Sequence, residues 1–210
     1  GVVQVTHDHA FDDHPHFTGY DKALVYESTA GGNWEIRRIA VDGSGEADLT
    51  QNKAADRYPA TAPRGAIAFA SKRGGSSWHL WSMRANGKHA VQLTRQPGGQ
   101  SQPAWNPSGA KIAFVAGTPG QGTSIWSMFR NGTKPQRLVG GSGHDASNPA
   151  WSPDGTSIVY QDCSAGNVTD CGLTTVAPGS PPFDVSTLRA PYVDTFDGGD
   201  SRFWQVITNG

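Results

Sequence analysis

Glutamate is scarce in this chain. Of 210 residues only three are glutamates, Glu27, Glu35 and Glu46, all near the N-terminus. A glycosidase needs two carboxylates at a defined separation, and so few candidates make that chemistry hard to assemble. Other absences narrow the field further. No GxSxG nucleophile elbow occurs, no HExxH helix and no CxxC pair. No apolar run approaches the length of a membrane span. No leader-like segment precedes Gly1, so the expectation is either a mature exported form or a chain never exported. Charged residues make up only 17% and the formal net charge is -1, so no global pull toward nucleic acid or anionic lipid exists. A basic, aromatic-interleaved surface is also missing. The expected partners therefore exclude nucleic acid, and membrane insertion is not expected.

What the chain has is turn formers. Gly 27 and Pro 14 punctuate short alternating apolar segments, the pattern of an all-β protein. Self-comparison shows a repeat. The segments "DDHPHFTGYDKALVYES", "DRYPATAPRGAIAFASK", "QSQPAWNPSGAKIAFVA" and "ASNPAWSPDGTSIVYQD" share a polar stretch, a proline, a turn and an apolar strand. A weaker fifth copy is "LRAPYVDTFDGGDSRFW". The prolines Pro15, Pro59, Pro103, Pro149 and Pro191 are spaced by 44, 44, 46 and 42 residues. A second conserved-length half follows each time: "WEIRRIAVDG", "HLWSMRANG", "SIWSMFRNG" and "RFWQVITNG" end at a tight turn, before a last strand such as "EADLT" or "HAVQLT". Four short strands per unit and a period in the low forties read as a β-propeller blade.

The expected fold is all-β: one five-bladed β-propeller domain over 1–210, with four antiparallel strands per blade. The blades run over about 7–50, 51–94, 95–139, 140–186, and 187–210 with 1–6. The last assignment comes from the ends. "VVQVT" has the form of an outermost strand, and "RFWQVITNG" stops at a hairpin turn with no return strand. Joined, they mimic "LWSMRANGKHAVQLT", so the N-terminal strand is expected to close the last blade and remove an open sheet edge. The rival expectation is a slice of a longer propeller.

The segment "NPAWSPDGTSIVYQD" resembles the TolB-type (PD40, WD40-like) β-propeller repeat, and "QPAWNPSGAKIAFVA" is a second good copy. The likeness covers essentially the whole chain, with the other copies diverged. It implies a funnel-shaped propeller whose channel mouth, built from the connections between blades, binds ligands or peptides. Members include periplasmic scaffolds, peptidase propellers and polysaccharide-acting enzymes, so the fold alone does not name an activity.

The residues just before the repeat prolines are the candidate rim: Asp12, Asp13 and His14; Asp56, Arg57 and Tyr58; Gln100 and Gln102; His144, Asp145 and Asn148; Arg189 and Tyr192. Different polar groups from different blades meeting at one opening suit a single asymmetric ligand. A solvated polar rim is the plainer reading. Trp34 and Trp78 follow Gly-rich loops and are candidates to stack on a sugar or clasp a peptide. Trp81, Trp105, Trp126, Trp151 and Trp204 hold repeat-locked positions and are expected to pack blade against blade.

"THDHAFDDHPHF" gathers His7, His9, Asp12, Asp13 and His14, with His16 and Asp8, as a candidate metal set for calcium or zinc, set against a solvated loop. No cofactor is required by the sequence. Cys163 and Cys171 flank a polar loop and are expected to form a cross-strand disulfide, which places the protein in an oxidising compartment, secreted or periplasmic. "NGT" at Asn131 and "NVT" at Asn167 are formal glycosylation sequons. The leading functional expectation is a non-catalytic binding module holding a carbohydrate or a partner segment at the channel mouth. The alternatives are a polysaccharide hydrolase or lyase using Asp12, Asp56 or Asp194 with His14, and a TolB-like protein-interaction scaffold.

Overall fold

The structure is a computed structural model that describes residues 2–19, 22–118, 122–167 and 169–179. Among the described residues every regular element is a strand. The first blade holds β1 (Asp12–Phe17), β2 (Ala23–Ser28), β3 (Glu35–Ala40) and β4 (Ala47–Asp48). The second holds β5 (Asp56–Thr61), β6 (Ile67–Ser71), β7 (His79–Met83) and β8 (Val91–Gln92). The third holds β9 (Gly99–Trp105), β10 (Lys111–Thr118), β11 (Gly122–Phe129) and β12 (Gln136–Gly140), and the fourth β13 (His144–Trp151), β14 (Ile158–Ser164) and β15 (Cys171–Val176). Within each blade neighbouring strands pair antiparallel in chain order. The third and fourth blades also touch through one parallel bridge, Thr123 to Asp145.

The blades pack face to face through side chains, and the second strand of each shows how. In β6, Ile67 and Phe69 turn back to meet Val25 and Ile36 of the first blade. Ala68 and Ala70 turn forward to receive Ile112 and Phe114 of β10. The pattern repeats one blade on, where Ala113 and Val115 receive Ile158 and Tyr160. Alternation across a strand sends successive side chains to opposite faces. Large residues backward and small residues forward let each sheet nest into the one before it. Phe69, Phe114 and Tyr160 are almost fully buried as a result.

The tryptophans behave as their repeat positions predict. Trp105 Nε1 donates to Ala60 O at 3.2 Å and Trp151 Nε1 to Ala104 O at 3.1 Å, each reaching the inner strand of the preceding blade. Trp81 and Trp126 pack against the same interblade clusters.

A second repeated contact links each outer strand to the next blade. Gly87 (φ 77°) and Gly132 (φ 82°) lie in turns before the fourth strand. A Cβ at Gly87 would come within 2.6 Å of Leu49 O, and one at Gly132 within 2.5 Å of Leu93 O, so only glycine fits. Gly43 makes the same approach to Val5 O at 3.2 Å. Val5 thus sits against the first blade where Leu49 sits against the second. Val2 and Val3 are exposed, and residues 2–6 form no strand within the described structure. The segment expected to pair with them, the weak fifth repeat with Trp204, lies outside the described residues. So do Arg189, Tyr192 and Asp194.

The two cysteines are joined as expected: Cys163 and Cys171 face each other across β14 and β15 with their sulfurs bonded. Thiol labelling followed by intact-mass measurement should find two reactive thiols only after reduction. Reduction should cost about 2–3 kcal/mol of stability, the chain-entropy value for so short a loop. Free thiols in the native protein would contradict the bond.

Candidate functional site

Each inner strand carries a bulge at the residue before the repeat proline, seen as a register break in the pairing of β1, β5, β9 and β13. The residues there are His14, Tyr58, Gln102 and Asn148, with φ of 49°, 55°, 49° and 51°. This is the left-handed region, which non-glycine residues rarely occupy. It recurs at one repeat position with four different side chains. These residues, with Pro59, Pro103 and Pro149, line one cavity of about 150 Å³, as equivalent positions around a common axis must. The first and second strands of the set meet through His14 and Tyr58, whose rings lie edge to face at 4.9 Å. The third and fourth meet where Asn148 N donates to Gln102 Oε1 at 2.7 Å. The bulge therefore brings together four of the rim residues the sequence singles out.

The strongest electrostatic feature beside them is Glu27, on β2, which is fully buried. Its Oε1 accepts from Arg57 Nε at 2.9 Å, from a terminal Arg57 nitrogen, and lies 3.1 Å from His14 Nδ1. Its Oε2 accepts from Tyr58 N at 2.5 Å. One carboxylate from the first blade thus fixes the guanidinium and the left-handed backbone of the second. Arg57 in turn lies over the Trp34 ring at 4.2 Å and the Tyr58 ring at 4.9 Å. Tyr58 meets Trp78 edge to face at 6.5 Å, and the Lys72 ammonium sits 4.8 Å from the Trp78 ring centre. The result is an aromatic row, Trp34, Tyr58 and Trp78, interleaved with two cations. Trp34 and Trp78 occupy one repeat position, where the third blade has Thr123. All three lie at the entrance to a third strand and dock it on the next blade: Asp56 N donates to Trp34 O and Gln100 N to Trp78 O, and Thr123 is bridged to Asp145.

Other expected rim residues turn away from the axis. Asp56 is fully buried, with its Oδ2 held by Asn52 Nδ2 and an Arg73 terminal nitrogen, both at 2.6 Å. Gln100 is buried in the same way, its amide nitrogen donating to Gly98 O at 2.9 Å and its oxygen 2.8 Å from His79 Nδ1. Asp12 occupies the same repeat position, and its Oδ1 is buried without a hydrogen bond to the described residues. Alternation explains this set: two residues before the bulge, the side chain points into the blade interface and clamps the incoming connection. The clamp continues through Glu35, which accepts from Thr50 Oγ1 at 2.7 Å and Asn33 Nδ2 at 2.8 Å. Burial pushes the Glu35 carboxyl above its ordinary value, against the pull of those hydrogen bonds. His144 stands apart from the axial group, with Nδ1 3.1 Å from Asp162 Oδ1.

The histidine-rich segment is only partly gathered. Asp13, His14 and Glu27 bring ligand atoms within 4.8 Å of one another, the one such group among the described residues. His7 and His9 are exposed and outside it, and Asp12 is directed elsewhere. A divalent ion at Asp13, His14 and Glu27 would compete with Arg57 for the same carboxylate oxygen. Glu27, the centre of this arrangement, was not among the site residues expected from the sequence. Its signal is a charge at the β2 position equivalent to Ala70 of β6 and Val115 of β10.

Glu27→Ala should leave the Arg57 guanidinium and the Tyr58 amide unpaired, costing about 3 kcal/mol, read as a fall in denaturant midpoint. An unchanged midpoint would show that the buried carboxylate holds nothing together. Glu35 gives a pH test. Its folded carboxyl binds a proton more tightly than the unfolded one, so its contribution to stability falls as pH rises through the carboxylate range, from about 4 upward. Glu35→Gln should remove that slope, so melting curves of the two proteins should converge or cross in favour of the variant as pH rises. Parallel curves would contradict the assignment.

No family model matches the chain, and no curated protein matches it. Solved structures do. A putative TolB from Agrobacterium tumefaciens is 22% identical with a TM-score of 0.57, covering 79% of this chain and 59% of its own. TolB from Acinetobacter baumannii is 19% identical with a TM-score of 0.59, covering 79% and 43%. A puromycin-hydrolyzing peptidase from Mycobacterium tuberculosis is 14% identical with a TM-score of 0.61, covering 79% and 27%. The chain thus spans between about a quarter and three fifths of the length of these neighbours. The chain has the fold of the TolB-type β-propeller.

Proposed function

We propose that this propeller is a non-catalytic binding module of an oxidising, extracytoplasmic compartment, secreted or periplasmic. Its channel mouth receives a carbohydrate or a segment of a partner protein. One observation carries the reading: four blades place four different side chains, His14, Tyr58, Gln102 and Asn148, at one left-handed position around one cavity. Backbone held in a sparsely populated region persists where the surroundings over-determine it, and such positions cluster at functional sites. A scaffold alone would be served by glycine there. The disulfide supports the compartment, and the TolB likeness favours a protein partner among the two ligand classes.

A fifth blade completes the ring in this reading, built from residues 187–210 with Val2–Thr6 as its outermost strand. Two observations support it. Val5 meets Gly43 as Leu49 meets Gly87 and Leu93 meets Gly132. Thr50 and Thr94 accept at 2.7 and 2.8 Å from the amides of Ile36 and Leu80, and Thr6 holds the equivalent place in the N-terminal segment.

The alternative, a hydrolase or lyase acting on polysaccharide, draws on Asp12, Asp56 and His14. It has less support, since the Asp56 carboxylate is engaged by Arg73 and Asn52 in the blade interface. The peptidase neighbour keeps a further version open, in which this propeller accompanies an enzyme domain.

The test is binding with product analysis. Purified protein is screened on a glycan array and against extracellular protein extracts, and each hit is incubated and assayed for turnover. Binding without turnover, weakened by His14→Ala or Asn148→Ala, is the expected result. Turnover lost in Asp12→Asn would replace this reading with the enzymatic one. Binding indifferent to every axial substitution would remove the channel mouth as the site.

A further inference from the structure

A cavity of about 570 Å³ lies beside the axis, between the second, third and fourth blades. Ligand sites of small molecules fall in this range. Tyr58 and Trp78 form its aromatic side. Around them are neutral polar groups: Ser77 beside Trp78 in the loop before β7, Ser101 and Gln102 on β9, and Asn167 in the disulfide-bonded hairpin. The Ser77 and Ser101 hydroxyls, the Gln102 amide nitrogen and the Asn167 amide nitrogen make no hydrogen bond to the described residues. Among the described residues no lysine or arginine lines the space, and the one lining carboxylate is Asp145, which accepts from Gly166 N at 3.2 Å.

We infer that this cavity is a subsite for a neutral oligosaccharide, stacked on Trp78 and Tyr58 and hydrogen-bonded by Ser77, Ser101, Gln102 and Asn167. The inference rests on the reading of the channel mouth as a binding site and names its ligand. Three features select the class. Sugar rings present an apolar face that an indole or phenol covers and a rim of hydroxyls that amides and hydroxyls satisfy. With no lysine or arginine among the described lining residues and Asp145 present, uronates, sulfated sugars, phosphates and peptide carboxylates are disfavoured, since they would be buried beside a carboxylate without a counter-charge from these residues. The aromatic wall is also preset. Lys72 lies over Trp78, and Glu27 holds the Tyr58 backbone, so the rings need little ordering when ligand arrives. Cys163 and Cys171 both border the cavity, and their bond fixes the hairpin that carries Asn167.

The experiment is a titration of the intact protein, followed by tryptophan fluorescence and calorimetry. The probes are neutral oligomers of glucose, mannose, galactose and N-acetylglucosamine, with uronate and sulfated oligomers as the acidic set. At least one neutral series should bind and the acidic set should not. Trp78→Ala should weaken binding about tenfold, the upper range for one aromatic contact. Because Trp78 also packs against the core, Ser101→Phe provides a second variant that fills the space without removing a buried ring. It should abolish binding while the melting temperature holds. Reduction of the disulfide should weaken binding in the wild type. His14→Ala, in the adjoining axial cavity that shares Tyr58 and Gln102 with this one, should weaken saccharide binding less than Ser101→Phe does. Saccharide binding lost in His14→Ala but kept in Ser101→Phe would overturn this inference and leave the channel-mouth reading standing. Preference for the acidic set, or no saccharide binding alongside capture of a protein segment, would overturn it as well. Failure of every ligand class would remove both.

Discussion

The fold depends on how the second strands of the blades nest, seen most clearly in β6. There Ile67 and Phe69 face backward while Ala68 and Ala70 face forward; β10 turns Ala113 and Val115 forward, and β2 turns Val25 and Glu27 forward. Among the described residues no strand pairing joins the blades apart from the Thr123 to Asp145 bridge. Their cohesion is side-chain burial, supplemented by hydrogen bonds such as those of Trp105 and Trp151. Interiors of this density tolerate little change of volume. A bulky residue at Ala68 or Ala113 would push a neighbouring sheet outward and displace the inner strands with it. The geometry of the axis is thus set by packing far from the axis.

The inner strands give that scaffold its candidate site. A bulge re-aims a side chain, and here it does so at one position in each of four blades. The sheet supplies the position and the sequence varies what stands there: an imidazole, a phenol and two amides. The buried Glu27 adds a coupling between blades that packing does not require. It orients Arg57 between two aromatic rings and holds the Tyr58 amide, so the wall of the larger cavity and the lining of the axial one share a single anchor. Buried ion pairs are poor sources of net stability but costly to break. That asymmetry suits a residue that keeps Arg57 and Tyr58 in one arrangement.

The repeat was legible because propeller blades are quasi-equivalent, and the prolines and turn glycines that mark them carry local backbone requirements. The cysteine pairing was legible because a short hairpin leaves few alternatives. The role of Glu27 was hidden by one residue. The turn between β1 and β2 runs from Phe17 to its partner Leu24, while the equivalent turn runs from Thr61 to Ile67. Superposed without a gap, Glu27 falls on Ser71 at the end of a strand. With the longer turn allowed for, it falls on Ala70 inside the packed face, where a carboxylate demands partners. Asp56 and Gln100 misled in the opposite direction. Both lie in the polar stretch entering the inner strand, yet their side chains point into the blade interface, because strand alternation assigns them the face opposite to the rim.

By itself the sequence determined the strand repeat, the turn positions, the disulfide and the set of polar residues at the entrance of each inner strand. These follow from local chemistry: ring closure in proline, the freedom of glycine at positive φ, and the period of two in a half-buried strand. Only the tertiary structure decided which of those residues share a space. Whether a side chain near a bulge faces the axis or the neighbouring blade depends on the left-handed turn at the bulge and on the blade it meets. The cavity flanked by Trp78 and Tyr58 draws its lining from three blades, whose closeness is a property of their packing. No local pattern encodes that adjacency, since it exists only once the blades have nested.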